Sequence, residues 1–363
     1  GYVGCGYNGV PSSDFWEYDP LTNIWTAKAI FAGGIAHSGT SFAISNKGYA
    51  GLGWLQNNIL TAGFWEYDPF TNGWTQIADY PGGKRQGAFS FVIGNKGYVG
   101  TGNDSTFKVT ADFYEYDPSN NLWTQKSNMG GVSRSLAIGF GIGFYGYAGA
   151  GYDSANNSLK DFYKYDAVSD SWSPISLYPG MASVDMAAFS IASYGYVGIG
   201  QIYPPANTVF NDFWQYNPVL NQWIQKTSFS GLARDEAAFF SIATKGYIGS
   251  GGLNGPITNV YYSDFWEFTP DSTTSIEELP ASNFQFTISP NPAKDYIVIS
   301  AEFRAKENIE LTITDADGKK VYETQLQTKT LNFKLQTLNF SNGIYFVELT
   351  NGKQKAVKKF LKV

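Results

Sequence analysis

The chain repeats itself with a period of about 50 residues, and the clearest repeat is a seven-residue stretch of aromatic and acidic residues. Its six copies read DFWEYDP, GFWEYDP, DFYEYDP, DFYKYDA, DFWQYNP and DFWEFTP, and they begin at residues 14, 63, 112, 161, 212 and 264. A second motif, GYxGxG, occurs six times in step with the first, beginning at residues 1, 48, 97, 146, 195 and 246. A fixed period of this length with Gly and aromatic marks predicts a fold built from copies of one unit.

Each unit reads as four short strands. In residues 87–128 an alternating stretch, GAFSFVIG, is followed by a two-residue turn, the Gly-rich GYVGTG, the heptapeptide and a strand that contains Trp123. Side chains alternate along a strand, so Phe15 points to one face while Trp16 and Tyr18 point to the other. Aromatic residues on both faces indicate sheets that are buried on both sides, as the blades of a β-propeller are.

The heptapeptides are predicted to pack between blades rather than to form a repeated active site. A shared catalytic carboxylate would have to occur in every copy, but the Glu of the other copies is replaced by Lys164 and Gln215. A structural hydrogen bond tolerates such replacements. We therefore expect the aromatic rings of the heptapeptides to be buried, and any ligand site to lie where the repeats differ.

Composition supports an all-β fold and excludes several kinds of site. Aromatic residues make up 17% of the chain, Gly occurs 40 times and charged residues make up only 15%, which favours tightly packed strands joined by tight turns. The net charge of −6 does not suit nucleic acid, and no apolar run approaches the roughly 20 residues of a transmembrane segment. With one His, His37, and one Cys, Cys5, we predict no metal, no cofactor and no catalytic triad.

These marks resemble the kelch repeat, and residues 1–270 are identified as a six-bladed kelch-type β-propeller. The Gly-Gly pair usual in kelch repeats appears here as GxG, and the Arg that usually opens the first strand is present only as Arg85, Arg134 and Arg234. The first strand and the Trp strand occur only five times each. We therefore expect an N-terminally truncated propeller, in which about two dozen upstream residues would complete the last blade and the first.

The character of the chain changes after residue 270. Residues 271–283, DSTTSIEELPASN, read as a linker. Residues 284–363 contain alternating strands and two hairpin signals, Asp317-Gly318 and Asn351-Gly352. About 80 residues with this pattern predict a small immunoglobulin-like β-sandwich.

Three stretches of this second domain resemble the type A C-terminal sorting domain of type IX secretion. They are SPNPAKDYIVI, TDADGKKVYE and the closing LNFSNGIYFVELTNGKQKAVKKFLKV with its basic tail. The resemblance implies that residues 284–363 engage the type IX secretion machinery, and that the protein passes through the periplasm and outer membrane. It also implies an N-terminal signal peptide and a final location that is either secreted or on the outer cell surface.

Candidate ligand-binding residues lie in two variable places of the repeat. The first is the segment before each first strand, and the second is the loop after each Gly-rich strand. The candidates from the first segment are His37, Arg85, Arg134, Asp185, Arg234, Asp235 and Glu236, and those from the loops are Trp54, Phe107, Tyr152 and Tyr203. Charged groups around a central funnel beside exposed aromatic rings suit a sugar or a peptide. Bracing of the blades by Arg and packing of the loops by aromatics would place the same residue types there.

Two functions of different classes follow from these residues. The first is a secreted or cell-surface protein whose propeller binds a glycan or another protein without catalysis. The second is a sugar-processing enzyme, an isomerase or lyase, that uses Arg and Asp or Glu at the funnel. We assign no catalytic residue, because the reactions of carboxylate pairs depend on their separation and the sequence does not give it.

Overall fold

The computed structural model describes residues 1–34, 36–55, 59–202, 208–254, 259–270, 286–316, 318–351 and 355–363. The chain divides into two compact units, residues 1–270 and 271–363. Within the described residues every regular element is a β-strand, and no helix there is long and apolar enough to cross a membrane. The predicted linker at residues 271–283 lies outside the described residues.

Six of the antiparallel sheets in the described part of the first unit are its blades, called blades 1 to 6 in chain order. Blade 1 has Tyr2–Tyr7, Pro11–Asp19 and Ile24–Ala27; blade 2 has Thr40–Ile44, Lys47–Gly51, Phe64–Asp68 and Gly73–Ile77; blade 3 has Phe89–Ile93, Lys96–Gly100, Phe113–Asp117 and Leu122–Lys126. Blade 4 has Ile138–Ile142, Tyr145–Gly149, Phe162–Asp166 and Ser171–Pro174; blade 5 has Ala187–Ile191, Tyr194–Gln201, Val209–Asn217 and Gln222–Lys226; blade 6 has Ala238–Ile242, Lys245–Gly249 and Phe265–Phe268. Two small sheets flank them, Ala36–His37 with Trp54–Leu55 and Ile59–Leu60, and Gly252–Asn254 with Asn259–Tyr261.

Aromatic contacts join each blade to the next and close the ring. Between blades 2 and 3, the heptapeptide ring of Phe64 lies 5.2 Å from Trp123, centroid to centroid. The same contact joins blade 6 to blade 1, where Phe265 lies 4.9 Å from Trp25. Edge-to-face contacts of this kind favour the packed state beyond the apolar area they bury. The six sheets therefore surround one axis, and the predicted six-bladed kelch-type propeller is confirmed.

In blades 2 to 5 the Phe and the last Tyr of each heptapeptide are buried, as predicted, while Trp16 of blade 1 and Trp266 of blade 6 are 39% and 38% exposed. In blade 2, Tyr67 packs toward blade 1 at 4.8 Å from Phe15, while Phe64 packs toward blade 3. Because side chains alternate along the heptapeptide strand, one strand supplies rings to the interfaces with both the preceding and the following blade. The fully buried rings of the third strands are Phe64, Tyr67, Phe113, Tyr116, Phe162, Tyr165, Phe213 and Tyr216.

The recurring Glu of the heptapeptide makes a structural hydrogen bond. The hydroxyl of Tyr49 donates to Glu66 at 2.8 Å, and the hydroxyl of Tyr98 donates to Glu115 at 2.7 Å. Where Glu is replaced in blade 5, the Gln215 amide donates to the hydroxyl of Tyr196 at 2.8 Å. The position therefore satisfies a buried Tyr, which explains why both an anion and an amide are accepted there.

Blades 1 and 6 have three described strands each, while the other four blades have four. The ring nevertheless closes through side chains, because Tyr18 of blade 1 lies 5.5 Å from Tyr247 of blade 6. These side-chain contacts do not supply the missing strands, so they leave the expectation about upstream residues untested. Completion of the two short blades by upstream residues stays a prediction.

The second unit is a small all-β sandwich. Its described strands are Phe286–Ser289, Tyr296–Asp315, Lys320–Gln336, Gly343–Thr350 and Lys355–Lys362. The long strand Tyr296–Asp315 has a register shift between Glu302 and Glu307, and both of its halves contribute to one core. That core contains Ile297, Ile299, Ile309, Leu311, Ile313, Val347 and Leu349. Asp317 and Gly352 of the two predicted hairpin turns lie outside the described residues.

We predict that Phe113→Ala lowers the free energy of unfolding of the propeller by about 3–5 kcal/mol, because a fully buried ring leaves a cavity. Phe113 is 0% exposed and touches Tyr165 and Trp172 of the next blade. Phe107→Ala is the matched control, since Phe107 is 64% exposed. Urea unfolding followed by Trp fluorescence measures both variants, and equal stabilities would contradict the role of the interblade rings.

Candidate functional site

One end of the ring carries both variable segments. Neighbouring strands within a blade are antiparallel, so the segment before each first strand and the loop between the second and third strands lie at the same end. We call this end the mouth. The backbone pairs the two segments in each blade, for example His37 with Trp54 and Ser135 with Tyr152. The two sets of candidate residues therefore belong to one surface.

Three backbone hydrogen bonds join residues of neighbouring blades beside the axis at the mouth. The first strands of neighbouring blades contact each other and line the centre. Just before them, the amide of Gly87 donates to the carbonyl of Ser38 at 3.2 Å, and the amide of Leu136 donates to the carbonyl of Gly87 at 2.9 Å. The amide of Glu236 donates to the carbonyl of Asp185 at 3.3 Å. We call these five residues the axial ring.

The three predicted Arg residues are buried in ion pairs inside their own blades. Arg134 is 0% exposed, and its guanidinium donates two hydrogen bonds to Asp161, at 2.8 and 2.7 Å. Arg85 holds Asp112 in the same way at 2.6 and 2.9 Å. Arg234 pairs with Asp264, with one of its two bonds at 2.7 Å. The three Asp residues are the first residues of their heptapeptides.

These pairs correct the expectation that Arg85, Arg134 and Arg234 face a ligand. Each guanidinium also donates to a carbonyl at the end of the second strand, as Arg134 does to Ala150 at 3.2 Å. A planar guanidinium with a bidentate carboxylate and a carbonyl has few donors left. The hydrogen bond from Arg234 is the main reason that the pKa of Asp264 lies below its ordinary value. The three Arg residues brace their blades.

The predicted acids lie at the axis. Asp185 and Glu236 belong to the axial ring, and Asp235 beside them is buried, at 1% exposed. Burial, followed by the charges of Glu236 and Asp235, raises the pKa of Asp185 well above its usual range. The amide of Gln201 lies 3.5 Å from the Asp185 carboxylate. Two of the five axial ring residues are therefore acidic, and none of the five is basic.

An arc of aromatic side chains crosses the mouth over blades 6, 1, 2 and 3. Tyr261 lies 6.2 Å from Tyr7, and Tyr7 lies 5.7 Å from His37, between ring centroids. His37 pairs through its backbone with Trp54, and the Trp54 ring lies 6.0 Å from Phe107. We call these five residues the aromatic arc. Tyr7 is 50% exposed, Tyr261 40% and Phe107 64%, so the arc offers ring surface to solvent.

Two members of the arc have their polar atoms fixed. The indole Nε1 of Trp54 donates to the side-chain oxygen of Gln86, and Nδ1 of His37 lies 3.1 Å from the hydroxyl of Ser38. Partial burial lowers the pKa of His37, so the ring is neutral at pH 7. Both rings are therefore positioned by neighbours and need little reorganisation to receive a ligand.

Tyr152 does not join the arc. It is 8% exposed, and its hydroxyl donates to Asn103 of the neighbouring blade at 2.8 Å, so it packs within the loops. Tyr203 lies outside the described residues.

The sequence-based candidates omitted Tyr7, Gln86 and Tyr261. Tyr7 follows its GxG as Trp54 and Tyr152 follow theirs, so its position could have been found; Tyr261 lies in a hairpin outside the repeat.

The mouth therefore offers exposed aromatic faces next to an acidic axis. Sugar rings present C–H faces that pack on aromatic rings, and their hydroxyls accept hydrogen bonds from amide N–H groups and donate them to carboxylates. In the described residues no group of three or more His, Cys, Asp or Glu side chains is arranged to hold a metal ion.

Comparison with known proteins gives the fold of the first unit and the type of the second. Residues 287–363 match the family described as the secretion system C-terminal sorting domain. The solved structure of YjhT superposes with a TM-score of 0.65 and 16% identity, covering 75% of this chain and 92% of that one. That protein and this one share the β-propeller fold. The second unit is a sorting domain of type IX secretion, so the protein is exported to the cell surface or secreted.

A stretch of 98 residues resembles curated enzymes. It is 34% identical to N-acetylneuraminate epimerase of Escherichia coli O1:K1 and 33% identical to the same enzyme of Shigella sonnei. The match covers 27% of this chain and 25% of the length of each enzyme.

We predict that Arg134→Ala lowers the free energy of unfolding by about 3–5 kcal/mol, because it leaves Asp161 without its partner in a partly buried site. The double variant Arg134→Ala, Asp161→Gly reproduces blade 2, where Ala36 and Gly63 stand at these positions. It should recover part of the loss. Lys84→Ala, at an exposed position next to Arg85 in blade 3, is the control, and urea unfolding is the measurement. A double variant as unstable as the sum of its single variants would contradict the pairing.

Proposed function

We propose that this exported propeller protein binds a glycan at the aromatic arc of its mouth and does not convert it. The observation that carries the proposal is the arc itself, in which Tyr7, Tyr261 and Phe107 remain exposed at one surface although most recurring aromatics of the ring are packed between blades. Exposed aromatic rings cost hydrophobic free energy in a folded protein, so their grouping at one surface indicates a binding site.

The location of the polar groups supports a glycan over a folded protein partner. Gln86 and Ser38 hold the rings of Trp54 and His37, and the axial acids lie within the same mouth. A small number of polar groups beside apolar ring faces is typical of sites for small ligands and sugar units. Delivery to the cell surface or the medium brings such a site into contact with polysaccharides outside the cell.

A sugar-processing enzyme is the second candidate, and the similarity to N-acetylneuraminate epimerases favours it. Asp185 would serve best as its acid, because burial raises the pKa of its carboxyl well above the ordinary value, as in general acids that donate a proton. The Arg residues expected for that role are occupied by Asp112, Asp161 and Asp264. A binding role therefore requires fewer assumptions about the described groups.

We predict that Tyr7→Ala and Trp54→Ala each weaken glycan binding at least about tenfold, because each removes one stacking ring. Binding is measured on a glycan array and then by calorimetry with the best ligand. Phe144→Ala is the matched control, since Phe144 is an exposed aromatic residue in the turn between a first and a second strand, at the opposite end of the ring.

The wild-type protein is also incubated with N-acetylneuraminate, and conversion between the anomers of the sugar is followed by NMR. Binding without conversion supports the proposal. Conversion that is lost in Asp185→Asn supports the enzyme instead, and binding that is unchanged in both arc variants would place the site elsewhere.

We predict that removal of residues 287–363 leaves the propeller inside the cell envelope of a host with type IX secretion. The sorting domain carries the information that the machinery recognises, and the propeller forms its own compact unit. Fractionation with antibody against the propeller measures the protein in medium, periplasm and outer membrane. Replacing Leu338, an exposed residue of the sorting domain, by Ser is a control for folding; secretion of the truncated chain would refute the assignment.

A further inference from the structure

The aromatic arc presents its rings one after another across four blades. Tyr261, in the small hairpin beside blade 6, lies 6.2 Å from Tyr7 of blade 1, and Tyr7 lies 5.7 Å from His37 at the start of blade 2. Beyond His37 and its backbone partner Trp54, the ring of Phe107 in blade 3 lies 6.0 Å from the Trp54 ring. Each of these centroid distances is comparable with the length of one sugar unit in a polysaccharide chain.

Both ends of the arc are open to solvent, whereas its middle is held in place. Phe107 is 64% exposed and Tyr261 is 40% exposed. Between them, the indole N–H of Trp54 donates to the side chain of Gln86, so Trp54 meets a ligand through the face of its ring. A site for one terminal sugar encloses that sugar in a concave pocket. A row of rings with exposed ends instead fits an internal stretch of a chain that continues in both directions.

Neighbouring rings of the arc are turned relative to each other. The interplanar angle is 75° between Tyr261 and Tyr7, and 52° between Tyr7 and His37. At the other end of the arc it is 35° between Trp54 and Phe107. Because a sugar packs its C–H face flat on an aromatic ring, sugars on neighbouring rings of the arc do not share one plane. A flat ribbon such as β-1,4-linked glucose does not cover these rings, whereas a helical chain turns at every unit.

The charges at the mouth favour a neutral chain. The guanidinium groups of Arg85, Arg134 and Arg234 are paired with carboxylates of their own blades, so they are not available to an acidic sugar. The axial ring contributes Asp185 and Glu236 and no basic residue, and these carboxylates repel a ligand of the same charge. Glucose suits the aromatic rings among neutral sugars, because its ring hydroxyls are equatorial and both of its faces present C–H groups.

We propose that the aromatic arc binds an internal stretch of a linear, helical glucan, with successive glucose units stacked on successive rings. This inference rests on the proposed glycan-binding function and adds the class of the glycan and the way in which its chain lies on the site. Once one unit is stacked, the next unit is held close to the next ring, so it binds without a second loss of translational freedom. Affinity therefore increases with chain length until the rings are covered.

Calorimetry with glucose oligomers of one to six units tests the inference. Two helical series, β-1,3-linked and α-1,4-linked, are compared with the flat β-1,4-linked series at equal length. We expect the dissociation constant of at least one helical series to fall about threefold to tenfold with each added unit up to about four, because each unit adds one stacking contact. The β-1,4-linked series should show no such gain, and the difference between the two helical series identifies the linkage that fits.

Removal of the end rings distinguishes a bound chain from a bound single sugar. Phe107→Ala and Tyr261→Ala should each weaken binding of the six-unit oligomer about threefold to tenfold, and should leave binding of the two-unit oligomer unchanged, because two units still fit on the central rings. Tyr7→Ala should weaken binding at every length. Phe144→Ala, at the opposite end of the ring, is the control and should change none of these affinities. Chemical reduction of the reducing end of the six-unit oligomer should not alter its affinity.

Several results would overturn this inference and leave the proposed function in place. They are equal affinities for one unit and six units, loss of binding when the reducing end is reduced, and β-1,4-linked oligomers that bind as tightly as both helical series. Binding of another glycan on the array without binding of either helical series also overturns it. Absence of binding to every glycan on the array would refute the proposed function and, with it, this inference.

Discussion

The packing of aromatic rings between neighbouring blades is the interaction on which the propeller depends. Phe113 shows it most fully, since one buried ring touches Tyr165 and Trp172 of the next blade. Because each heptapeptide strand alternates, it supplies rings to both of its neighbours at once. The same kind of aromatic contact therefore recurs around the ring, including the interface between blades 6 and 1.

This packing decides where a ligand can bind. The recurring residues have partners within the ring. Phe and Tyr pack against neighbouring blades, Glu66 accepts a hydrogen bond from the hydroxyl of Tyr49, and Arg134 pairs with Asp161. What remains free is the surface at which the copies differ. A repeat protein of this kind separates its fold from its site, because the positions that agree hold the ring and the positions that vary face solvent.

The sequence predicted the fold well, because period, turn residues and alternation are local signals. It predicted the site less well, because the partners of a charged residue are not local. Arg85 and Asp112 are 27 residues apart and meet only when the loops of a blade fold together. One signal was present: blade 2 lacks both members, with Ala36 and Gly63 at these positions. Trp54 and Tyr152 look alike in the repeat, but only Trp54 lies in the aromatic arc, because Asn103 draws the Tyr152 hydroxyl into the loops.

The axial ring shows how such a scaffold leaves its side chains free. All five of its residues have left-handed backbone angles, with φ between 52° and 63°, although only one of them is Gly. Hydrogen bonds between neighbouring blades hold this conformation, at a cost of about 1–3 kcal/mol for each residue other than Gly. Ser, Gly, Leu, Asp and Glu occupy equivalent places around the axis, although a Cβ added at Gly87 would lie only 2.6 Å from the Ser135 hydroxyl oxygen. Selection for a ligand can therefore act on the other four positions without disturbing the backbone that carries them.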